Sequence, residues 1–257
     1  MLRRPDLQLT RPGDGEFDGV ADFYDHLMRA VPYDDWVDYV EALLERWDHQ
    51  PRLVLDLACG TGVPTVLLAR AGYQLVGVDR SEAMLAVLRR KIARYPVQVL
   101  QADMRDFVLP EPADAAISLY DSVNYLLTPD DLGRCFQAVS RNLKPGGLFV
   151  FDMNTVFGLA NYWGDRTSVR EVEDIYSVWQ TRYDPDTGVS SLHLTFYVHE
   201  GAARVRYDEI HEERGYQYEE VERLLRVAGF GLSDFYKHGT LEPPSATTSR
   251  IMVVARK

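Results

Sequence analysis

The chain has 257 residues, of which 46% are hydrophobic and 26% charged, so its composition excludes a disordered protein and favours a globular one with a sizeable core. Lys and Arg number 28 against 39 Asp and Glu, and the formal net charge of -11 disfavours an extended nucleic-acid surface, because acidic surfaces repel phosphate backbones. The two cysteines, Cys59 and Cys135, lie far apart and match neither a zinc spacing nor a disulfide framework.

The sequence also bears on location. The N-terminal segment MLRRPDLQLT has no apolar stretch after its two arginines, unlike a signal peptide. No run approaches the ~20 apolar residues that span a bilayer, and the sparse cysteines suit a reducing compartment. We therefore expect a cytoplasmic protein, monomeric or homodimeric, with no membrane partner and no metal site.

The first fifty residues predict an arm followed by a helical cover. Residues 1–16 are polar and contain Pro and Gly, so we expect a loose arm. From Val20 to Trp47, apolar residues recur at spacings of three and four, which predicts helix with one buried face, interrupted at Pro32.

From residue 53 to residue 152 the chain alternates short apolar runs with helical patterns. Nearly all-apolar strands that alternate with helices are typical of a parallel sheet covered by helices on both faces. Residues 144–147 predict a turn before the fifth strand. The predicted strands span residues 53–57, 75–78, 97–101, 115–119 and 148–151, and the predicted helices span residues 63–70, 81–94 and 129–143.

After residue 152 the pattern changes to extended segments rich in β-branched and aromatic residues, at 171–183, 188–199 and 202–213. Asp184-Pro-Asp-Thr-Gly188 is a hairpin signal, and Gly201 predicts a second tight turn. A helix at 218–228 and strands at 232–237 and 250–255 then complete the chain. We predict an α/β domain of residues 1–157 and 211–257, with an inserted antiparallel β lid at 158–210.

The segment from Val54 to Gly62, Val-Leu-Asp-Leu-Ala-Cys-Gly-Thr-Gly, joins a buried strand to a helix through a glycine turn. Gly60 and Gly62 allow a sharp bend and the close approach of a ligand. A turn without a ligand is one alternative, and a nicotinamide-dinucleotide site is another, because Gly60-x-Gly62 matches half of that fingerprint. Thr65 replaces the third glycine, however, and the Asp56 carboxylate would repel a pyrophosphate. A ligand with an ammonium group and no phosphate, such as S-adenosylmethionine, suits this segment better.

Two further strand ends carry polar residues that suit adenosine. Asp79 ends the second strand, where doubly wound folds present a carboxylate to a ribose diol, and helix capping ahead of Ser81 is the alternative. At the end of the third strand, Asp103 could accept from the adenine amino group while Met104 packs on the ring, unless this segment is a solvated loop. The carboxyl ends of adjacent strands meet at one edge of the sheet, so the three motifs predict one site.

Together these segments resemble the class I S-adenosylmethionine-dependent methyltransferases. The matching motifs cover about residues 50–152 and are Asp56-Leu-Ala-Cys-Gly-Thr-Gly62, Asp79, Ala102-Asp103-Met104 and Leu143-Lys-Pro-Gly-Gly147. Flanking segments are similar to a bacterial and archaeal subgroup of small-molecule-type enzymes near the aminosugar N-methyltransferases. These segments are Phe23-Tyr24-Asp25, Tyr33-Asp-Asp-Trp36, Tyr120-Asp-Ser-Val-Asn-Tyr125 and His211-Glu-Glu-Arg-Gly-Tyr216.

The resemblance implies a doubly wound, seven-stranded Rossmann-like sheet of order 3-2-1-4-5-7-6, with the last strand antiparallel, beneath the inserted β lid. It also implies S-adenosylmethionine as cofactor and S-adenosylhomocysteine as product. We expect the cofactor to contact the three motifs, their neighbours and the aromatic residues that precede the sheet. These residues are Tyr24, Tyr33, Trp36, Asp56, Ala58, Cys59, Gly60, Thr61, Gly62, Asp79, Arg80, Met84, Ala102, Asp103, Met104 and Tyr120.

The methyl group of the cofactor should point towards the loop after the fourth strand. Asp121 or Tyr125 in that loop, or His211 of the insertion, could orient an acceptor or take its proton, with a structural role as the alternative for each. We expect a small-molecule acceptor, of which an amine is one candidate. An RNA or protein acceptor, or a regulatory module that binds the cofactor without turnover, are the competing hypotheses.

Overall fold

A computed structural model of the protein describes residues 9–12, 17, 19–172, 175–200 and 203–257. The helices are α1 (Ala21–Leu27), α2 (Tyr33–Arg46), α3 (Val63–Ala71), α4 (Glu82–Lys91), α5 (Pro129–Asn142), α6 (Val156–Gly158) and α7 (Tyr218–Val227), with a 3₁₀ turn at Ser122–Tyr125 and a π turn at Leu159–Trp163. The strands are β1 (Leu9–Pro12), β2 (Leu53–Leu57), β3 (Gln74–Asp79), β4 (Val97–Gln101), β5 (Ala113–Ser118), β6 (Leu143–Asn154), β7 (Arg166–Val172), β8 (Ile175–Asp184), β9 (Val189–Glu200), β10 (Ala203–Arg214), β11 (Leu232–Lys237) and β12 (Arg250–Arg256).

The larger of two sheets has seven strands in the order β11-β12-β6-β5-β2-β3-β4. Only β12 runs against the others, pairing antiparallel with both β6 and β11. When its strands are numbered along the chain, the order reads 3-2-1-4-5-7-6, which confirms the predicted doubly wound arrangement. Central strand β2 pairs with β3 on one side and β5 on the other, so the chain reverses its direction of winding there. Ligands bind at such a switch point in open α/β sheets.

Helices cover both faces of this sheet because its central strand is apolar on both. Every residue of β2 is buried. Leu55 and Leu57 share a core with Phe136 of α5. Val54 points to the opposite face and shares a core with Leu43 of α2. A strand that is buried on both faces is typical of a parallel sheet between helical layers, as the sequence predicts.

The beginning of α4 and the turn at residues 144–147 can be compared with the predictions from the sequence. The Ser81 hydroxyl accepts a hydrogen bond from the backbone N–H of Met84 (3.2 Å), which confirms Ser81 as the N-cap of α4. The predicted turn at 144–147 is instead the beginning of β6. Gly146 adopts a φ of +78° there and donates its N–H to the carbonyl of Lys257 (3.0 Å), so this turn is held by the C-terminal residue.

The second sheet has five strands in the order β1-β10-β9-β8-β7. The three predicted extended segments correspond to β8, β9 and β10, which pair antiparallel, and the predicted hairpin joins β8 to β9. Strand β7 is an addition, because only its last residues fall within the predicted segment. Its side chains are almost all exposed, so its sequence lacks the alternation that marks a half-buried strand. The predicted turn at Gly201 lies outside the described residues.

Two more observations concern the edges of this sheet. Within the expected loose arm, residues 9–12 form β1 and pair in parallel with residues 205–208 of β10. The rest of the arm lies outside the described residues. The prediction of a loose arm was therefore wrong for residues 9–12. A strand of 4 residues is too short to show the alternation of apolar and polar residues that marks a strand. Strand β10 continues past residue 210, because its pairing with β9 extends to Arg214 opposite Val189.

The second sheet packs against α1 and α4. Phe196 and Tyr207 stack with ring centroids 4.9 Å apart, and both belong to a core that includes Leu27 of α1 and Met84 of α4. Because α4 directly follows the carboxyl end of β3, this packing places the second sheet over the ligand-binding edge of the first.

Candidate functional site

A cavity of about 880 Å³ lies between the carboxyl ends of the parallel strands and the second sheet. Its size falls in the range of small-molecule and cofactor sites. All the predicted site residues line it except Trp36 and Gly62. The predicted residues that line it are Tyr24, Tyr33, Asp56, Ala58, Cys59, Gly60, Thr61, Asp79, Arg80, Met84, Ala102, Asp103, Met104, Tyr120, Asp121, Tyr125 and His211.

The floor of the cavity is the loop between β2 and α3. Ala58, Gly60 and Gly62 all have positive φ angles, of 57°, 53° and 74°. A side chain at Gly60 would meet no atom within 4 Å, so glycine is needed there for its conformation and not for packing space. The loop therefore turns sharply from strand to helix and presents backbone to the cavity, as the glycines predict.

Asp56 supplies a deeply buried carboxylate at the end of β2. Its side chain is only 2% exposed, and its Oδ2 accepts a hydrogen bond from the hydroxyl of Thr65. Burial raises the pKa of Asp56 to about 7, the Thr65 hydrogen bond lowers it, and the negative charge of Asp79 raises it further. Thr65 occupies the position of the third glycine in the nicotinamide-dinucleotide fingerprint. Its hydroxyl donates a hydrogen bond to Asp56, the carboxylate that would repel a pyrophosphate.

Asp79 connects the glycine loop to the beginning of α4. Its Oδ2 accepts the N–H of Gly60 (2.8 Å), and its Oδ1 accepts the N–H of Ser81 (2.9 Å). Burial raises the pKa of Asp79, although these N–H groups lower it. The alternative was helix capping by Asp79, but the N-cap of α4 is Ser81, and Asp79 accepts the backbone N–H of that residue while also lining the cavity. Each oxygen retains a lone pair, so contact with a ribose diol stays a prediction.

In the third motif, Asp103 is not free to bind adenine with both oxygens, because Arg105 already binds it. Arg105 donates to both oxygens of Asp103, from Nε to Oδ1 (2.9 Å) and from Nη2 to Oδ2 (2.6 Å), and also contacts Asp131 (3.1 Å). The Arg105 hydrogen bonds lower the pKa of Asp103. Met104 lines the cavity while packing against the main core. Asp103 thus lines the cavity as a carboxylate that is ion-paired with Arg105. Its contact with adenine stays a prediction.

The N-terminal aromatic residues form one wall. The hydroxyls of Tyr24 and Tyr33 are hydrogen-bonded to each other, and burial raises the pKa of both. Tyr33 also lies near Tyr120, with ring centroids 6.1 Å apart. The segment before the sheet therefore lines one side of the cavity, and its role as a cover over the cofactor stays a prediction.

Two predicted cofactor residues do not line the cavity. Trp36 is buried behind Tyr120, at a centroid distance of 5.6 Å, because its position on α2 faces the core beneath the loop. Gly62 is the N-cap of α3, and a side chain there would lie 2.1 Å from the Leu88 Cδ1. Its role is to let α3 and α4 approach closely.

The loop after β5 contains two consecutive strained residues. Tyr120 and Asp121 have φ angles of 65° and 54°, a conformation that costs non-glycine residues ~1–3 kcal/mol each and clusters at functional sites. The conformation is held by the Asp121 N–H, which donates to Asp152 Oδ2 (3.0 Å). Asp121 Oδ2 in turn accepts from Asn154 Nδ2 (2.6 Å) and Arg250 Nη2 (2.8 Å). Both contacts fix the Asp121 carboxylate within the protein, so Asp121 is better suited to the predicted role of orienting an acceptor than to that of a base.

The partners of Asp121 were not predicted from the sequence. Arg250 bridges Asp121 and Asp152 at 2.8 Å each, and its guanidinium lies 5.3 Å from the ring centroids of both Trp36 and Tyr120. Asn154 also donates to Glu213 Oε2 (2.8 Å). The signal in the sequence was Arg250 itself, a charged residue directly before five apolar residues of β12. In the structure it pairs with Asn154 of β6. Its charge partners are distant in sequence, so only the fold identifies them.

Two general features limit the chemistry of the site. Among the residues that the structure describes, no group of three or more His, Cys, Asp or Glu side chains is placed to hold a metal ion. Both cysteines are buried, and burial raises the pKa of the Cys59 and Cys135 thiols, which disfavours a thiolate nucleophile.

Over the same described residues, no helix has the length and apolarity to cross a membrane.

Comparison with known proteins agrees with this geometry. A family model described as a methyltransferase domain matches residues 54–147, the segment that contains all three motifs. The chain is 37% identical to the methyltransferase YqeM of Bacillus subtilis (strain 168) over 244 residues, which cover 94% of this chain and 97% of that protein.

Solved structures extend the likeness to the whole fold. A crystal structure of an S-adenosylmethionine-dependent methyltransferase from Clostridium acetobutylicum ATCC 824 superposes with a TM-score of 0.83 at 28% identity, covering 93% of this chain and 98% of that one. The sugar N-methyltransferase KedS8 from Streptoalloteichus sp ATCC 53650 gives a TM-score of 0.78 with both chains covered completely, and at 23% identity it shows a shared fold. The chain therefore belongs to the S-adenosylmethionine-dependent methyltransferases.

Proposed function

We propose that this protein transfers a methyl group from S-adenosylmethionine to a small-molecule acceptor, with an amine as the favoured class. The observation that carries this proposal is the cavity itself. It places the carboxylates at the ends of β2 and β3 together with Tyr125 and His211 in one space beneath the second sheet. A site for two reactants must bring their binding residues together in this way.

The residues present fit the cofactor. The carboxyl groups of Asp56 and Asp79 lie beside a backbone loop, where a bound cation would favour their charged forms. Tyr24, Tyr33 and Tyr120 provide aromatic faces, which attract cations. We assign the Asp79 carboxylate to the ribose hydroxyls and the glycine loop to the amino-acid portion. Bound S-adenosylmethionine supplies an activated methyl group on a sulfonium, so the protein's main task is alignment, which contributes ~7–11 kcal/mol in favourable cases.

A small acceptor is favoured over a macromolecule by the second sheet and by charge. The cavity is lined from above by Trp163, Trp179 and Leu194, so a polymer would need this cover displaced. The net charge of -11 also opposes a phosphate backbone. We therefore propose that residues 158–210, with the continuation of β10, act as a lid over the acceptor. A cytoplasmic location and a monomeric or dimeric state stay predictions.

Replacement of Asp79 tests the cofactor assignment. Asp79→Asn keeps the size of the side chain but removes its charge, and Asp79→Ala also removes the hydrogen bonds to Gly60 and Ser81. We expect both to weaken S-adenosylmethionine binding by ~10–100-fold, because hydrogen bonds to charged groups contribute ~1.5–3 kcal/mol. Isothermal titration calorimetry measures this change. Asp186→Asn, in the exposed β8–β9 turn, serves as the matched control.

Unchanged affinity in both Asp79 variants would contradict the ribose assignment. Turnover is tested separately by incubating the protein with labelled cofactor and a metabolite extract. Label in low-mass products supports the small-molecule proposal, and label in polymeric material supports the RNA or protein alternative. Tight cofactor binding without any S-adenosylhomocysteine formation would favour a regulatory module.

A further inference from the structure

Strand β10 carries three consecutive ionisable residues on its inward face. Side chains alternate along a strand, and the inward positions Val205 and Tyr207 are apolar, as expected for a core. The next three inward positions are Glu209, His211 and Glu213, which are only 6%, 4% and 2% exposed. Glu and His are rarely buried to this degree without a purpose or a partner, so this stripe needs a chemical explanation.

His211 has one partnered and one unpartnered nitrogen. Its Nε2 lies 3.0 Å from Glu209 Oε2, an ion-pair distance whose geometry leaves Glu209 Oε2 without a hydrogen bond among the described residues. Its Nδ1 is buried and has no hydrogen-bond partner among the described residues, although the ring lines the cavity. Phe17 packs against the ring at a centroid distance of 4.6 Å, and Tyr125 lies edge-on at 6.0 Å. A buried imidazole with a carboxylate beside one nitrogen and no partner at the other has the arrangement of a general base.

Glu209 is placed to orient this imidazole without reaching the cavity itself. Its Oε1 accepts the backbone N–H of Val20 at 3.0 Å, which anchors the carboxylate to the residue that precedes α1. The remaining oxygen faces His211. A carboxylate fixed in this way favours one tautomer and stabilises the imidazolium that forms when His211 takes a proton.

Glu213 supplies the neighbouring charge. It lines the cavity, and Asn154 Nδ2 donates to its Oε2 (2.8 Å). The same buried network contains Asp121, Asp152 and the single guanidinium of Arg250. Among the residues that the structure describes, its three carboxyl groups therefore outnumber its one cation, and burial raises the pKa of both Glu213 and Asp152. A cationic ligand beside Glu213 would compensate this excess.

We propose that the acceptor is an amine that binds through its ammonium group to Glu213, with His211 Nδ1 as the base and Glu209 as a positioning residue. This inference rests on the proposed function. A proton passes from the ammonium nitrogen to His211 Nδ1. The freed lone pair then forms a bond to the methyl carbon while the carbon–sulfur bond breaks and its electrons remain on sulfur. The products are a methylated ammonium and S-adenosylhomocysteine, with His211 protonated until solvent removes the proton.

The groups around His211 determine how the reaction depends on pH. Glu209 and Glu213 flank it on β10, and Tyr125 faces it from the 3₁₀ turn. Behind Glu213 lie Asp121, Asp152 and Arg250. Removing the negative charge of Glu209 destabilises the imidazolium, so the Glu209→Gln variant should shift the acid limb of the kcat/KM profile to lower pH.

The first measurement uses labelled S-adenosylmethionine and a panel of small primary amines, each paired with the alcohol of the same carbon skeleton. We expect label in the amines and not in the alcohols. Methylation of alcohols but not amines, or of no amine by protein that binds S-adenosylmethionine, would overturn the acceptor proposal alone. Failure to bind S-adenosylmethionine would instead overturn the proposed function.

The second measurement compares variants on the best amine of that panel. His211→Gln should lower kcat by ~10²–10⁴-fold, as expected for loss of a general base. Glu213→Gln should raise KM for the amine by ~10–100-fold, because it loses a charged contact. Glu209→Gln should lower kcat less than His211→Gln and move the acid limb as stated, and Glu209→Asp should restore the limb.

Matched controls come from the same sheet. Glu212 and His193 are exposed residues on β10 and β9, so Glu212→Gln and His193→Gln should leave kcat, KM and the acid limb unchanged. Cofactor affinity and the thermal midpoint report on folding in every variant. An acid limb that stays in place in both Glu209 variants, or a His211→Gln variant with full kcat, would overturn the assignment of the base.

Discussion

Asp56 shows at the residue scale how one side chain serves both the fold and the cavity. It is enclosed by the core, accepts one hydroxyl hydrogen bond from Thr65, and lies near a second carboxylate, Asp79. Burial raises its pKa to about 7 from an ordinary value of 3.8. The folded chain therefore retains a proton at Asp56 over a pH range in which the unfolded chain has lost it.

This difference predicts how stability depends on pH. Because the folded state binds the proton more tightly, the contribution of Asp56 to the free energy of unfolding is fully present below about pH 4 and is lost as the pH rises towards 7. Asp56→Asn removes the titration while keeping an acceptor for Thr65. Urea unfolding at pH 4, 5.5 and 7 should show the stability of the wild type falling relative to that of the variant. The exposed control Asp186→Asn should show no such trend, and parallel curves for Asp56→Asn would contradict the account.

At the scale of elements, the turn from β2 to α3 places two glycines under different constraints. Both have positive φ angles, but a side chain at Gly60 would meet open space, whereas one at Gly62 would overlap the buried Leu88 of α4. Gly60 thus serves the backbone conformation alone, and Gly62 also serves the packing of α3 against α4.

The two glycines give a matched pair for mutation. Gly60→Ala should destabilise the ligand-free protein by ~1–2 kcal/mol, the cost of a left-handed conformation in a residue with a side chain. Gly62→Ala should cost a further ~1–3 kcal/mol, because Leu88 must move within a packed core. Chemical denaturation in the absence of cofactor measures both. Equal losses would show that Leu88 yields freely and would contradict the packing argument.

These elements also show what could be predicted from sequence. Strands β2 and β4 were located to the residue, because each is a short segment rich in Val and Leu between clear helix or turn signals. Strand β7 was largely missed, since an exposed edge strand has no hydrophobic alternation. Asp79 lines the cavity, as its place at a strand end suggested, and its contact with the cofactor stays a prediction. The Arg250 network has no local pattern, because it joins the loop after β5 to residues of β6, β10 and β12.

At the scale of the whole molecule, the site depends on the contact between two sheets. The parallel sheet presents the carboxylates of β2 and β3, and the antiparallel sheet closes the cavity from above through its packing on α1 and α4. Composition predicted a globular chain, and the motifs at the ends of the first three parallel strands predicted the class of protein. The depth of the cavity and the buried ionisable residues of β10 depend on how the second sheet packs against α1 and α4. The pattern of apolar and polar residues along the sequence does not show this packing.

The central claim is that the cavity binds a cation without phosphates. Calorimetric titration of the full chain with S-adenosylmethionine, and in parallel with NAD, tests it most directly. We predict one S-adenosylmethionine bound per chain in the micromolar range and no binding of NAD. Binding of NAD that S-adenosylmethionine cannot displace, or no heat with S-adenosylmethionine at any pH, would contradict the account.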